Sequence, residues 1–103
     1  MAFLYTVTVA FDDEATCADF EAWLLRSHID DVLAAGAERA TVARIDAPSP
    51  TLMAQYRFPS REAFVRYEAN EAPRLREHGL VFLAGRPATF QRTTAVVRAE
   101  RSW

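Results

Sequence analysis

The feature that most constrains this chain is the stretch Phe3-Leu4-Tyr5-Thr6-Val7-Thr8-Val9-Ala10-Phe11 near its start. Successive side chains of a β-strand point to opposite faces, so period-two alternation predicts a strand here. Phe3, Tyr5, Val7, Val9 and Phe11 form one apolar face that needs a cover of helices. Leu4, Thr6, Thr8 and Ala10 form the other, a semi-polar face that must meet something else.

The rest of the chain supplies the cover. Asp12 or Asp13 can cap a helix whose apolar stripe begins with Phe20, Trp23 and Leu24. The stripe then moves to Ile29, Val32 and Leu33, which predicts a bend or restart near Ser27 and His28. Gly36 is placed to end that helix at its C′ position. A second strand is expected over about Glu38 to Ile45, and a turn over Asp46 to Pro50, where two prolines cannot continue a ladder. The third strand, Thr51 to Phe58, again alternates. Leu52, Ala54, Tyr56 and Phe58 lie on one side, with Met53, Gln55 and Arg57 on the other. Ser60 caps a helix that buries Ala63, Phe64 and Tyr67, and Asn70 to Pro73 interrupts it. Pro73 opens a further short helix, expected to stop at Gly79 with His78 in its last turn. The apolar run Leu80 to Ala84 fits either a packed loop or a short extra strand. A last strand is expected over Ala88 to Arg98. Its register is open, because a one-residue shift exchanges Gln91 and Thr93 for Arg92 and Thr94 on the semi-polar face.

The order is β-α-β-β-α-β, an α+β ferredoxin-like unit with a four-stranded antiparallel sheet and helices on one face. At 103 residues this is a single domain, residues 1–103. The net charge of -2 gives no global pull toward nucleic acid or anionic lipid. All 12 basic residues are Arg. Cys17 is the lone cysteine, so no internal disulfide can form. No apolar run approaches the roughly 20 residues that span a bilayer, and no signal peptide is visible, so a cytoplasmic location is expected.

Tyr5-x-Val7, Trp23-Leu24 followed by His28-Ile29, and Val32-Leu33-Ala34-x-Gly36 form an ordered set with Gln55-Tyr56, Tyr67, Ala72-Pro73-x-Leu75-Arg76 and Phe90-x-Arg92-Thr93. Together they resemble the DUF4286 family of small bacterial proteins over nearly the whole chain. Asp30 stands where that family commonly has proline, and Leu80 to Ala84 replaces a more polar stretch. The resemblance implies membership of the dimeric α+β barrel superfamily, hence a homodimer in which two sheets enclose a barrel. That superfamily includes cofactor-free monooxygenases, isomerases, cyclases, haem-binding enzymes and effector-binding modules.

The semi-polar face is the one that would line such an interior, which makes Thr6, Thr8, Gln55 and Arg57 candidates to hold a ligand. Trp23 is a candidate aromatic wall, and Arg92 a candidate to orient an anionic or carbonyl group. His28 is the candidate general base, since an imidazole titrates near neutrality. Tyr5, Tyr56 and Tyr67 can gather around the sheet and its helices. Two histidines and one cysteine make no recognisable metal spacing. No cofactor is expected, and the mixed-sign surface from Arg61 to Glu77 argues against a nucleic-acid patch. The functional expectation is a homodimeric ligand-binding module with a small molecule in or beside the barrel. The alternative is a cofactor-free isomerase, cyclase or monooxygenase using His28.

Overall fold

Alternation in the sequence becomes the sheet directly. A computed structural model describes residues 1–103. The elements run β1 (Phe3–Phe11), α1 (Glu14–Trp23), a π-helical turn (Leu24–His28), α2 (Ile29–Ala34), β2 (Arg39–Arg44), β3 (Thr51–Phe58), α3 (Arg61–Asn70), α4 (Ala72–Leu83) and β4 (Ala88–Val96). The four strands form one antiparallel sheet in the order β2-β3-β1-β4. This is the ferredoxin-like α+β fold.

The helix ends follow local chemistry. The Asp13 carboxylate accepts the Thr16 backbone N–H at 2.7 Å and the Thr16 hydroxyl at 3.0 Å, capping α1. Ser60 accepts the Ala63 N–H at 3.1 Å and caps α3. Gly36, at φ 129°, turns the chain out of α2 in a conformation that a side chain would oppose.

The expected bend near Ser27 and His28 is the π-helical turn Leu24–His28, continuous with α1 and α2. The Ile29 N–H bonds the Leu24 carbonyl, five residues back. Ser27 reinforces the turn by donating its hydroxyl to the Trp23 carbonyl at 3.4 Å.

The second half of the chain corrects one expectation. The helix carrying Leu75 does not stop at Gly79, and Leu80 to Leu83 is neither loop nor strand. Instead α4 runs through Gly79 to Leu83 and ends at Ala84, which takes a left-handed conformation at φ 51°. His78 is therefore an exposed mid-helix residue, not a terminal one beside the helix dipole. The reason lies in tertiary packing. A Cβ on Gly79 would stand 3.5 Å from the Trp23 ring, so the glycine sits where α4 passes over that indole.

Pairing settles the register of β4. Thr93 stands beside Thr6 and Arg92 beside Val7. Gln91 and Thr93 therefore share the Thr face of the sheet, while Phe90, Arg92 and Thr94 face the helices. The core lies wholly on that helix side, in two clusters. One gathers Phe3, Tyr5, Tyr56, Phe58, Phe64, Tyr67 and Leu75. The other gathers Val9, Phe11, Cys17, Phe20, Trp23, Leu24, Leu52 and Leu83. Val7 and Ile29 touch both clusters.

Candidate functional site

The gap between the two clusters is a cavity of about 300 Å³, lined by 17 residues of which 13 are hydrophobic. Its floor is the sheet rung on which short Val7 and Ala54 pair, with Arg92 on the other side of Val7. The neighbouring rungs are bulkier. Tyr5 pairs with Tyr56, and Val9 pairs with Leu52 and Phe90. Gly79 thins the opposite wall on α4. Space thus exists because Val7, Ala54 and Gly79 coincide between large aromatic neighbours. Val7 is only half-buried although it faces the helices. Exposed Leu80 and Arg92 both line the cavity, so it opens between α4 and β4.

One wall depends on the π-helical turn. Residues five apart in an α-helix lie about 140° apart around the axis and cannot share a face. The wider turn closes that angle. It lets the Trp23 and His28 rings stack with centroids 4.6 Å apart and 24° between planes. Phe82 stacks on Trp23 from α4, with centroids 5.4 Å apart. The His28 Nδ1 is buried without a hydrogen-bond partner in the chain. Burial pushes its imidazole down to about 4, assisted by the positive field of His78 and opposed by Asp31. His28 is therefore a neutral ring at pH 7.

The other end is polar. The Tyr5 hydroxyl accepts a hydrogen bond from Arg76 Nη2 at 3.2 Å and another from Arg92 Nε at 3.2 Å. Arg76 also donates to Glu68 at 2.9 Å, while Arg92 forms no ion pair and lies over the Phe90 ring at 5.4 Å. Tyr56 and Tyr67 complete this end, with ring centroids 6.1 and 6.3 Å from that of Tyr5. Burial pushes the Tyr67 hydroxyl up to about 12 and raises Tyr56 further, so both remain protonated. The three tyrosines do gather as their positions imply.

The candidate residues from the sequence divide between the two sides of the sheet. His28, Trp23 and Arg92 come together in the cavity. Thr6, Thr8, Gln55 and Arg57 lie on the opposite face. There Gln55 donates to the Thr6 hydroxyl at 3.1 Å, and Arg57 pairs with Glu38 and Glu100 within the same chain. The seven residues therefore do not build one site. Sequence reasoning placed Arg76 on a mixed-sign surface and missed its role here; the available signal was its position next to buried Leu75. Cys17 is fully buried, its thiol pushed up by desolvation. No cluster of three His, Cys, Asp or Glu side chains could hold a metal ion.

The DUF4286 family model, a domain of unknown function, matches residues 2–97. The chain belongs to the DUF4286 family. No curated protein matches the sequence. Among solved structures it is similar to a dimeric ferredoxin-like protein from an uncultured marine organism, at TM-score 0.79 and 14% identity, covering 97% of this chain and 98% of that one. It is also similar to SnoaB, a cofactor-independent oxygenase from Streptomyces nogalater, at TM-score 0.70 and 17% identity, with 96% and 95% covered. A third similar structure is the monooxygenase from ActVA-Orf6 of Streptomyces coelicolor in complex with nanaomycin D. There the TM-score is 0.67 and the identity 20%, with 98% and 93% covered. At these identities the likeness establishes the DUF4286 chain as this fold. No helix is long and apolar enough to cross a membrane.

Proposed function

We propose that this DUF4286 protein is a homodimeric small-molecule-binding protein whose ligand lies beside the barrel, in the cavity between sheet and helices of each protomer. The observation that carries the reading is the cavity itself, largely apolar and open at one side, with Arg76, Arg92 and the tyrosine hydroxyls at one end. Ligand sites are commonly of this kind, apolar with a few convergent polar groups. The Thr face of the sheet is the surface a second copy would cover; the similarity to a protein described as dimeric supports a dimer. Thr6, Thr8, Gln55 and Arg57 then serve closure of the barrel, while Trp23 and Arg92 serve the ligand.

A second reading is a cofactor-free enzyme of isomerase, cyclase or monooxygenase type with His28 as general base. It is favoured by the neutral imidazole held on the cavity wall by the π-helical turn, and by the similarity to a cofactor-independent oxygenase. A ring that protonates only near 4 is free to accept a proton at pH 7 but is a weak base.

Native mass spectrometry of gently purified protein tests the first reading. A dimer carrying one extra small mass per protomer is the expected result, and a stable monomer without retained mass would reject it. Chemical conversion of the retained molecule on exposure to air, abolished by His28→Ala, would move the assignment to the second reading.

A further inference from the structure

Resting on the cavity reading above, we propose that the ligand is a flat, mainly apolar monoacid. Its ring system lies over Val7 and Ala54, and its carboxylate sits at the Arg76–Tyr5–Arg92 end. No Asp, Glu, Asn, Gln, Ser or Thr lines the cavity. Its charged groups are two guanidiniums, and the only carboxylate bound to either is Glu68, on Arg76. That end therefore carries one uncompensated positive charge, which matches a monoanion.

Hydrogen bonding points the same way. The Tyr5 hydroxyl already accepts from both Arg76 and Arg92, so its own O–H is left to donate. Arg92 uses only Nε within the chain, which leaves both terminal nitrogens as donors. The Tyr56 and Tyr67 hydroxyls, held protonated, make no side-chain hydrogen bond in the chain and also line the cavity. Donors thus converge at an end of the cavity where the Glu68 carboxylate, outside the lining, engages Arg76 alone and leaves Arg92 and the phenols unmatched. A guanidinium fork with phenol donors beside it fits a planar carboxylate. The apolar length beyond it, bounded by Phe20, Trp23 and Leu24, fits one or two fused rings and rejects a second charge.

The test compares 2-naphthoate with 2-naphthylmethanol by isothermal titration calorimetry. The two share a ring system and differ in charge. The expected result is tighter binding of the acid by roughly tenfold or more. Arg92→Gln, at an exposed position on the edge strand, should weaken the acid far more than the alcohol and so remove most of that difference. The indole N–H resonance of Trp23, told apart from Trp103 with Trp103→Phe, should shift on saturation with the acid. Equal binding of acid and alcohol, insensitive to Arg92→Gln, would overturn the acid assignment and leave the cavity reading standing. Failure of both to bind, or binding that leaves Trp23 unmoved, would overturn the cavity reading and this inference with it.

Discussion

The two faces of the sheet use the same strands to opposite ends. Toward the helices, β1 and β3 present Phe3, Tyr5, Val9, Leu52, Tyr56 and Phe58, all nearly inaccessible. The buried core lies there, and the cavity interrupts its packing. Toward the far side the same strands present Thr6, Thr8, Met53, Gln55 and Arg57, half-buried and largely polar. Some of these groups already have partners within the chain: Gln55 donates to Thr6, and Arg57 pairs with two carboxylates. A face on which the one charged group of β1 and β3, Arg57, is neutralised within the chain suits closure against a copy of itself, because these strands leave no unpaired ion when water is removed. A face with unmatched donors around an apolar gap suits a ligand. Alternation along a strand thus separates the packed side with its cavity from the half-buried polar side by a single residue step.

The largest test of that contrast is truncation on either side. Phe58 is fully buried and packs on Phe64 and Tyr67 with ring centroids 5.4 and 5.1 Å away. Phe58→Ala should cost about 3–5 kcal/mol in urea unfolding. Thr93→Ala, on the Thr face of the edge strand, should cost no more than about 1 kcal/mol. Comparable losses at the two positions would mean that stability is not confined to the helix side.

Next comes assembly. Thr8→Arg would put an uncompensated charge from each protomer into the closed barrel, where an unpaired ion is costly. Size-exclusion chromatography with light scattering should show a monomer, with naphthoate affinity in the cavity retained. A persistent dimer would place the interface elsewhere.

A smaller effect comes from His28. Its folded pKa is lowered from 6.5 to about 4, so between those values the unfolded chain takes up a proton that the folded chain refuses. Stability is therefore full above pH 6.5, falls as the pH drops toward 4, and loses on the order of 2–3 kcal/mol across the window after allowance for partial solvent access. The carboxylates of Asp13, Glu14 and Glu100 are lowered from ordinary values of 3.8–4.5 by their hydrogen bonds to Thr16, Arg44 and Arg57, so their contributions are lost mainly below that window. His28→Gln should flatten the slope between pH 6.5 and 4. An unchanged slope would show that the imidazole is not held neutral against the Trp23 ring.

The sequence was most legible where a local period or a single hydrogen bond decides the structure. β3 begins and ends where its alternation does, and Asp13 and Ser60 cap the helices they precede. The turn at Leu24–His28 was visible as a shift in the apolar stripe, although not as a π-helix. What stayed hidden depends on partners far along the chain. The side that Arg92 faces follows from its pairing with Val7, and nothing in the local pattern of β4 chooses it. Arg76 reads as one charge among many until α4 is laid over Tyr5, 71 residues away. Thr6, Gln55 and Arg57 belong to one set of candidates with Trp23 and His28 only until the strands pair, because the sheet then lies between them.

Gly79 is the place where the same lesson predicts the smallest effect. A glycine inside a helix reads as a stop, and here it is a spacer. The backbone is ordinary, so Gly79→Ala should gain the usual helix-interior benefit of roughly 0.5–1 kcal/mol. The added methyl would meet the Trp23 ring at 3.5–3.7 Å, ordinary contact distance, so the fold has no reason to resist it. The methyl would also occupy part of the cavity wall beside the indole. The expected variant therefore melts slightly higher yet binds 2-naphthoate more weakly, while its dimer is untouched. A gain in stability with unchanged binding would show that α4 does not bound the ligand. A loss of stability would show that Trp23 is held too tightly against α4 to yield to a methyl group.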